Sequence, residues 1–105
     1  MAFDLLRSGY ATLTHEMAEE RASALARLGR RLEAALAALA ACPKTPDGDR
    51  KIRDGLVAQA GYALWLFVVQ REAIGLRDSR QIMRDYRVPA DVQSCMDMLP
   101  AKSAR

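Results

Sequence analysis

Ala60-Gly61-Tyr62-Ala63-Leu64-Trp65-Leu66-Phe67-Val68-Val69, running on into Gln70-Arg71-Glu72-Ala73-Ile74-Gly75, decides how this chain folds. The first ten residues are apolar on every side, after which the chain turns charged and meets a glycine. A helix at a protein surface carries one apolar stripe, whereas a helix apolar all round must be covered from more than one direction. An apolar run of about ten residues falls short of the roughly 20 needed to span a bilayer. The stretch therefore reads as a buried core segment, and the rest of the chain as the material that covers it.

The cover comes first from upstream. Leu25, Leu28, Leu32, Ala35 or Leu36, and Leu39 recur at three- and four-residue steps, which predicts a helix over 14–41 with one continuous core-facing seam. Thr14 is its expected N-cap, with Glu16, Glu19 and Glu20 at the positive end of the helix dipole. Beside the seam run the small residues Ala18, Ala22, Ala26 and Gly29. Pro43, Pro46 and Asp47-Gly48 break the pattern and predict a loop over 42–49. A connection of that length returns the chain antiparallel. The second helix is expected over 50–74, capped by Asp49 or Asp47 and closed by Gly75, the residue type favoured just past a helix end. Folding the hairpin about the loop sets Gly29 level with Gly61, where a close backbone contact would compensate two helix-weakening glycines.

Two short helices follow. Asp78-Ser79-Arg80-Gln81 has the form of a capping box and opens a helix to Tyr86 that buries Ile82, Met83 and Tyr86. Pro89 opens another, to about Met98, with Val92, Cys95, Met96 and Leu99 inward. Residues 99–105 read as a tail. Upstream, residues 1–13 form an arm in which Gly9 interrupts any long helix. Its Phe3, Leu5, Leu6, Tyr10 and Leu13 are expected to dock on something, such as a neighbouring subunit, against the plainer alternative of a frayed terminus.

The chemistry-bearing residues are sparse. Half of the 105 residues are hydrophobic, 28% are charged and the net charge is +3, an ordinary single soluble domain that permits anionic partners without requiring them. Cys42 and Cys95 match no zinc or redox spacing, and with no signal-peptide pattern at the start the expected setting is the cytoplasm. His15 and Glu19 share a helix face, but the Glu-x-x-His pairs of helical di-iron sites are missing. Neither cysteine has a histidine brought near it by the pattern, and no Gly-rich phosphate loop occurs. Gln70-Arg71-Glu72 with Arg77-Asp78 reads as a salt-bridged knot at a helix end. No catalytic residue, metal or cofactor is assigned.

Nucleic acid is the second class to weigh. Residues 81–98 have the outline of a helix-turn-helix, and Arg77, Arg80, Arg84 and Arg87 fall roughly on one face, where they would contact phosphates. Against this, Arg87 stands where the turn wants glycine, Met83 is large for a helix contact, and the would-be recognition helix carries Asp91 and Asp97 without a basic residue. A membrane-surface role is weaker, since the basic residues are dispersed.

Residues 18–33, Ala18-Glu19-Glu20-Arg21 through Leu32-Glu33, and residues 64–78, Leu64-Trp65-Leu66-Phe67 through Arg77-Asp78, resemble a family of short bacterial proteins of unknown function. The similarity continues through Arg84-Asp85-Tyr86-Arg87-Val88-Pro89. The resemblance implies a small helical bacterial protein and brings no catalytic or binding residues with it.

The expected fold is all-α: a long antiparallel hairpin with two short C-terminal helices, completed to a four-helix type of core by dimerisation. The hairpin alone covers Leu64, Phe67 and Val68, and the rest must meet the C-terminal segment, a second copy or both. With the C-terminal segment covering part, Tyr62, Trp65, Leu66 and Val69 are the expected interface with a second copy or an unidentified protein partner. Each such side chain left in water forgoes about 1.5–3 kcal/mol of burial. The expected function is that of a self-associating interaction protein.

Overall fold

The computed structural model describes residues 2–43 and 50–99, with side chains from residue 5 on. Four helices are present among them: α1 (Ala2–Ala40), α2 (Arg50–Ala73), α3 (Ser79–Asp85) and α4 (Ala90–Asp97). The all-α hairpin with two short helices is thus the observed architecture. The expected caps Asp47 and Asp49 and the tail beyond Leu99 lie outside the described residues.

The first departure is the length of α1, which runs unbroken for 39 residues. The Thr14 cap does not exist. Thr14 sits inside the helix, its hydroxyl donating to the Tyr10 carbonyl at 2.9 Å, and Thr12 does the same to Ser8. This backward bond is available to a threonine in a helix interior, where the amides that a cap would serve are already bonded within the continuing helix. Gly9 does not interrupt the helix either. Its cost of about 1 kcal/mol relative to alanine is small against the propensity of the residues around it.

At about 1.5 Å per residue α1 is roughly 58 Å long and α2 roughly 36 Å. The long helix therefore outruns its partner, and the molecule extends over 73 × 29 × 21 Å. Near the loop end, Leu32 and Leu39 of α1 are buried against Ala60, Ala63, Leu64, Phe67 and Val68 of α2. From the other side come Ile82, Val88, Val92 and Met96, so the short helices close the core that the hairpin leaves open. Trp65, Met83 and Tyr86 pack at its margin.

The glycines correct the expected register. Gly29 and Gly61 do not face each other. A Cβ on Gly29 would meet the Tyr86 hydroxyl at 3.2 Å and the Phe67 ring at 3.4 Å, whereas one on Gly61 would meet Cys95 Sγ at 2.9 Å. Gly29 stands level with Phe67, six residues along α2 from Gly61, and the two glycines open on different faces: Gly29 admits an aromatic pair, and Gly61 lets α4 approach α2. Phe67 and Tyr86 meet edge to face there, with ring centroids 5.6 Å apart, a geometry favoured by their quadrupoles.

Local chemistry sets the short helices. Asp78 accepts the Gln81 backbone N–H at 3.4 Å and caps α3. Gly75 ends the α2 segment with φ +95°, and Arg87 takes a left-handed turn at φ 49° between α3 and α4. The Gln93 side chain donates to the Val88 carbonyl at 2.9 Å, which ties that turn to α4.

Candidate interaction surface

Α2 begins under α1 and ends well before α1 does. Gly29 is level with Phe67, so the end of α2 at Ala73 is level with about residue 23 of α1. Toward the N-terminus no other described helix runs beside α1, and residues 5–23 are exposed along its whole circumference. On this arm Leu6, Tyr10, Leu13 and Met17 follow one another at steps of four, three and four, a single stripe at helical spacing. Their exposures run from 48% to 74%, and Leu5 beside them reaches 76%. Continued at seven-residue steps the stripe would run through Glu20, Ala24, Arg27 and Arg31, so it lies roughly 60° around the helix from the seam of Leu25, Leu28 and Leu32.

Large apolar side chains gathered on one exposed face are the feature that marks interaction surfaces. The residues that expectation placed at such a surface are less available. Tyr62 is exposed at 44%, while Trp65, Leu66 and Val69 are half-buried. The Tyr62 and Trp65 rings stack, centroids 5.9 Å apart, and the Arg31 guanidinium lies 5.3 Å from the Tyr62 centroid. This patch borders a shallow groove between α1 and α2 floored by Ala34, Ala35, Ala38 and Ala58. Most of the greasy stretch is thus covered within one chain, because α4 takes a face that the hairpin could not reach. Met17 entered no expected surface; its sequence signal was the three- and four-residue spacing that links it to Leu13 and Tyr10.

The remaining candidates are placed as follows. Arg77, Arg80, Arg84 and Arg87 are all exposed around α3. Α4 spends Val92 and Met96 on the core, and its Asp91 carboxylate accepts a 2.8 Å hydrogen bond from Arg53 Nη1. That bond holds the Asp91 carboxyl below its ordinary value and the Arg53 guanidinium above its own. Burial, with Glu33 adding to it, raises the Tyr86 phenol. His15 Nε2 lies 2.8 Å from Glu19 Oε1 on the exposed arm, and among the described residues no three His, Cys, Asp or Glu side chains gather as metal ligands. Cys42 and Cys95 are free thiols.

By length and composition the 24-residue α2 is long and apolar enough to cross a membrane, although its fully apolar middle is not. A core helix meets the same criterion, and Ala60, Leu64, Phe67 and Val68 of α2 form the core here.

No curated protein and no solved structure matched the chain. A family described as of unknown function, DUF6665, matches residues 4–104, nearly the full length in which hairpin, short helices and arm are laid out, and the chain belongs to that family.

Proposed function

We propose that this chain is a helical interaction protein that self-associates, its working surface being the apolar stripe of the α1 arm. One observation carries the reading: Leu6, Tyr10, Leu13 and Met17 are exposed on a helix segment that stays exposed on every face among the described residues. Most helical stability in proteins comes from packing an apolar face, and the exposed arm of α1 has no such packing among the described residues. A partner helix laid along the stripe supplies that packing. The half-buried patch around Tyr62, Trp65, Leu66 and Val69 offers adjoining area on α2, and no catalytic role is assigned to it.

Amide hydrogen exchange tests this reading. The arm, residues 2–21, gains protection as protein concentration rises, while the α2 core stays protected throughout. Arm amides that exchange equally fast at every concentration overturn it.

A further inference from the structure

Where α1 ends and α2 begins, beside the turn from α3 to α4, the chain leaves a concave space of about 570 Å³. That volume is typical of small-molecule sites, which combine an apolar lining with a few convergent polar groups. Leu36, Leu39 and Pro89 supply the lining together with the ring of Tyr86, whose hydroxyl lies over Gly29. The charged groups are two guanidiniums, those of Arg53 and Arg87, and among the described residues no carboxylate lines the space.

The two arginines reach it by different means. Arg53 is fixed by its 2.8 Å bond to Asp91, which engages one nitrogen and leaves the other N–H donors of the fork. Arg87 sits at φ 49°, a conformation that glycine holds far more easily. Strain of this kind collects at functional sites, and the guanidinium brought to the cavity is what a glycine there would forfeit. The helix ends do not decide the charge, because the negative ends of α1 and α3 meet the positive ends of α2 and α4. Asp91 balances Arg53, and Glu33 and Asp85 line the adjoining groove with Leu36 and Tyr86. Among the described residues no carboxylate pairs with Arg87.

We infer that this cavity binds a small aromatic carboxylate. Its carboxylate takes N–H donors from the guanidiniums, whose planar forks match two oxygens, and its ring lies against Leu36, Leu39, Pro89 and the Tyr86 ring. The site is independent of the α1 arm, and it gives the arginine in the α3–α4 turn a role that its backbone opposes.

Titration of the isotope-labelled full chain with naphthoate, followed by NMR at the amides of Leu39, Cys42 and Arg53, tests the inference. Saturable shifts with a Kd of about 1 mM or tighter are expected for a ligand of this size. Arg87→Gly relieves the turn and so keeps the fold, yet it should weaken binding about tenfold, the effect of losing a hydrogen bond to a charged group. Neutral naphthamide should bind as weakly to the unaltered chain. Cys42 lines the same cavity as a free thiol, so naphthoate should also slow its alkylation in a Cys95→Ala background. The inference is overturned if the three amides do not shift, if Arg87→Gly or naphthamide leaves binding undiminished, if Cys42 is not protected, or if inorganic phosphate binds there as well as naphthoate.

Discussion

Gly61 lies directly beneath Cys95: a Cβ placed on it would stand 2.9 Å from the Cys95 sulfur and 3.0 Å from its Cβ, with the Met96 amide nitrogen at 3.4 Å. The backbone of α2 is therefore a surface on which α4 rests. Gly55, six residues earlier in the same helix, has nothing within 4 Å. Gly55→Ala is expected to stabilise the chain by about 1 kcal/mol through helix propensity. Gly61→Ala gains the same propensity but overpacks the α2–α4 contact, for a net loss of about 1–2 kcal/mol. Urea denaturation checks both, and two changes of the same sign contradict this account of α4.

The α3–α4 turn stores backbone strain at Arg87, whose φ of 49° is one that a residue with a Cβ adopts reluctantly. Arg87→Gly should stabilise the protein by about 1 kcal/mol or less, since glycine relieves the strain but frees the unfolded chain. Gly75→Ala, at φ +95°, should destabilise by about 1–2 kcal/mol. Midpoints of thermal unfolding report both directions.

Much of this was legible beforehand. The end of α1 shortly before Pro43, the Asp78 cap and the seam from Leu25 to Leu39 are local signals, and local chemistry decides them. The arm was not legible because its two warning signs, Gly9 and Thr14, each cost too little to stop a helix already favoured on both sides. The facing of the glycines failed for another reason. Counting about a loop gives only an approximate level, here six residues off between Gly61 and Phe67, and it gives no rotation, which is set by α4, whose Val92 and Met96 arrive from thirty residues away. The same non-local contact decides how much of Tyr62–Val69 remains exposed, which moves the weight of the interaction surface from Trp65 to the arm.

Core and arm should respond oppositely to truncation. Leu64 is fully buried, and Leu64→Ala is expected to cost about 2–5 kcal/mol of folding stability. Leu6→Ala, on a side chain 71% exposed, should change the stability of the dilute monomer by less than about 0.5 kcal/mol. A large loss from Leu6→Ala in dilute solution would show the arm folded back on its own bundle.

The Arg53–Asp91 bond ties the start of α2 to α4 and makes that contact acid-sensitive. Because Asp91 is held below its ordinary value of 3.8, its contribution is complete above that pH and is lost as the pH falls through the lowered value. Both partners are substantially solvent-exposed, so the effect is small. Arg53→Gln should flatten the acid limb of stability by slightly lowering stability at neutral pH, the difference from wild type vanishing in acid once Asp91 is protonated. Titration of Asp91 by NMR, with and without the substitution, checks the direction.

Sedimentation velocity from low to high micromolar concentration tests the apolar arm most directly. The wild-type chain should pass from an 11.6 kDa monomer to a dimer, and Leu13→Glu, which sets a carboxylate at the middle of the stripe, should remain monomeric with unchanged helicity. A wild-type chain that stays monomeric throughout, or a Leu13→Glu variant that dimerises as well as wild type, would contradict the account.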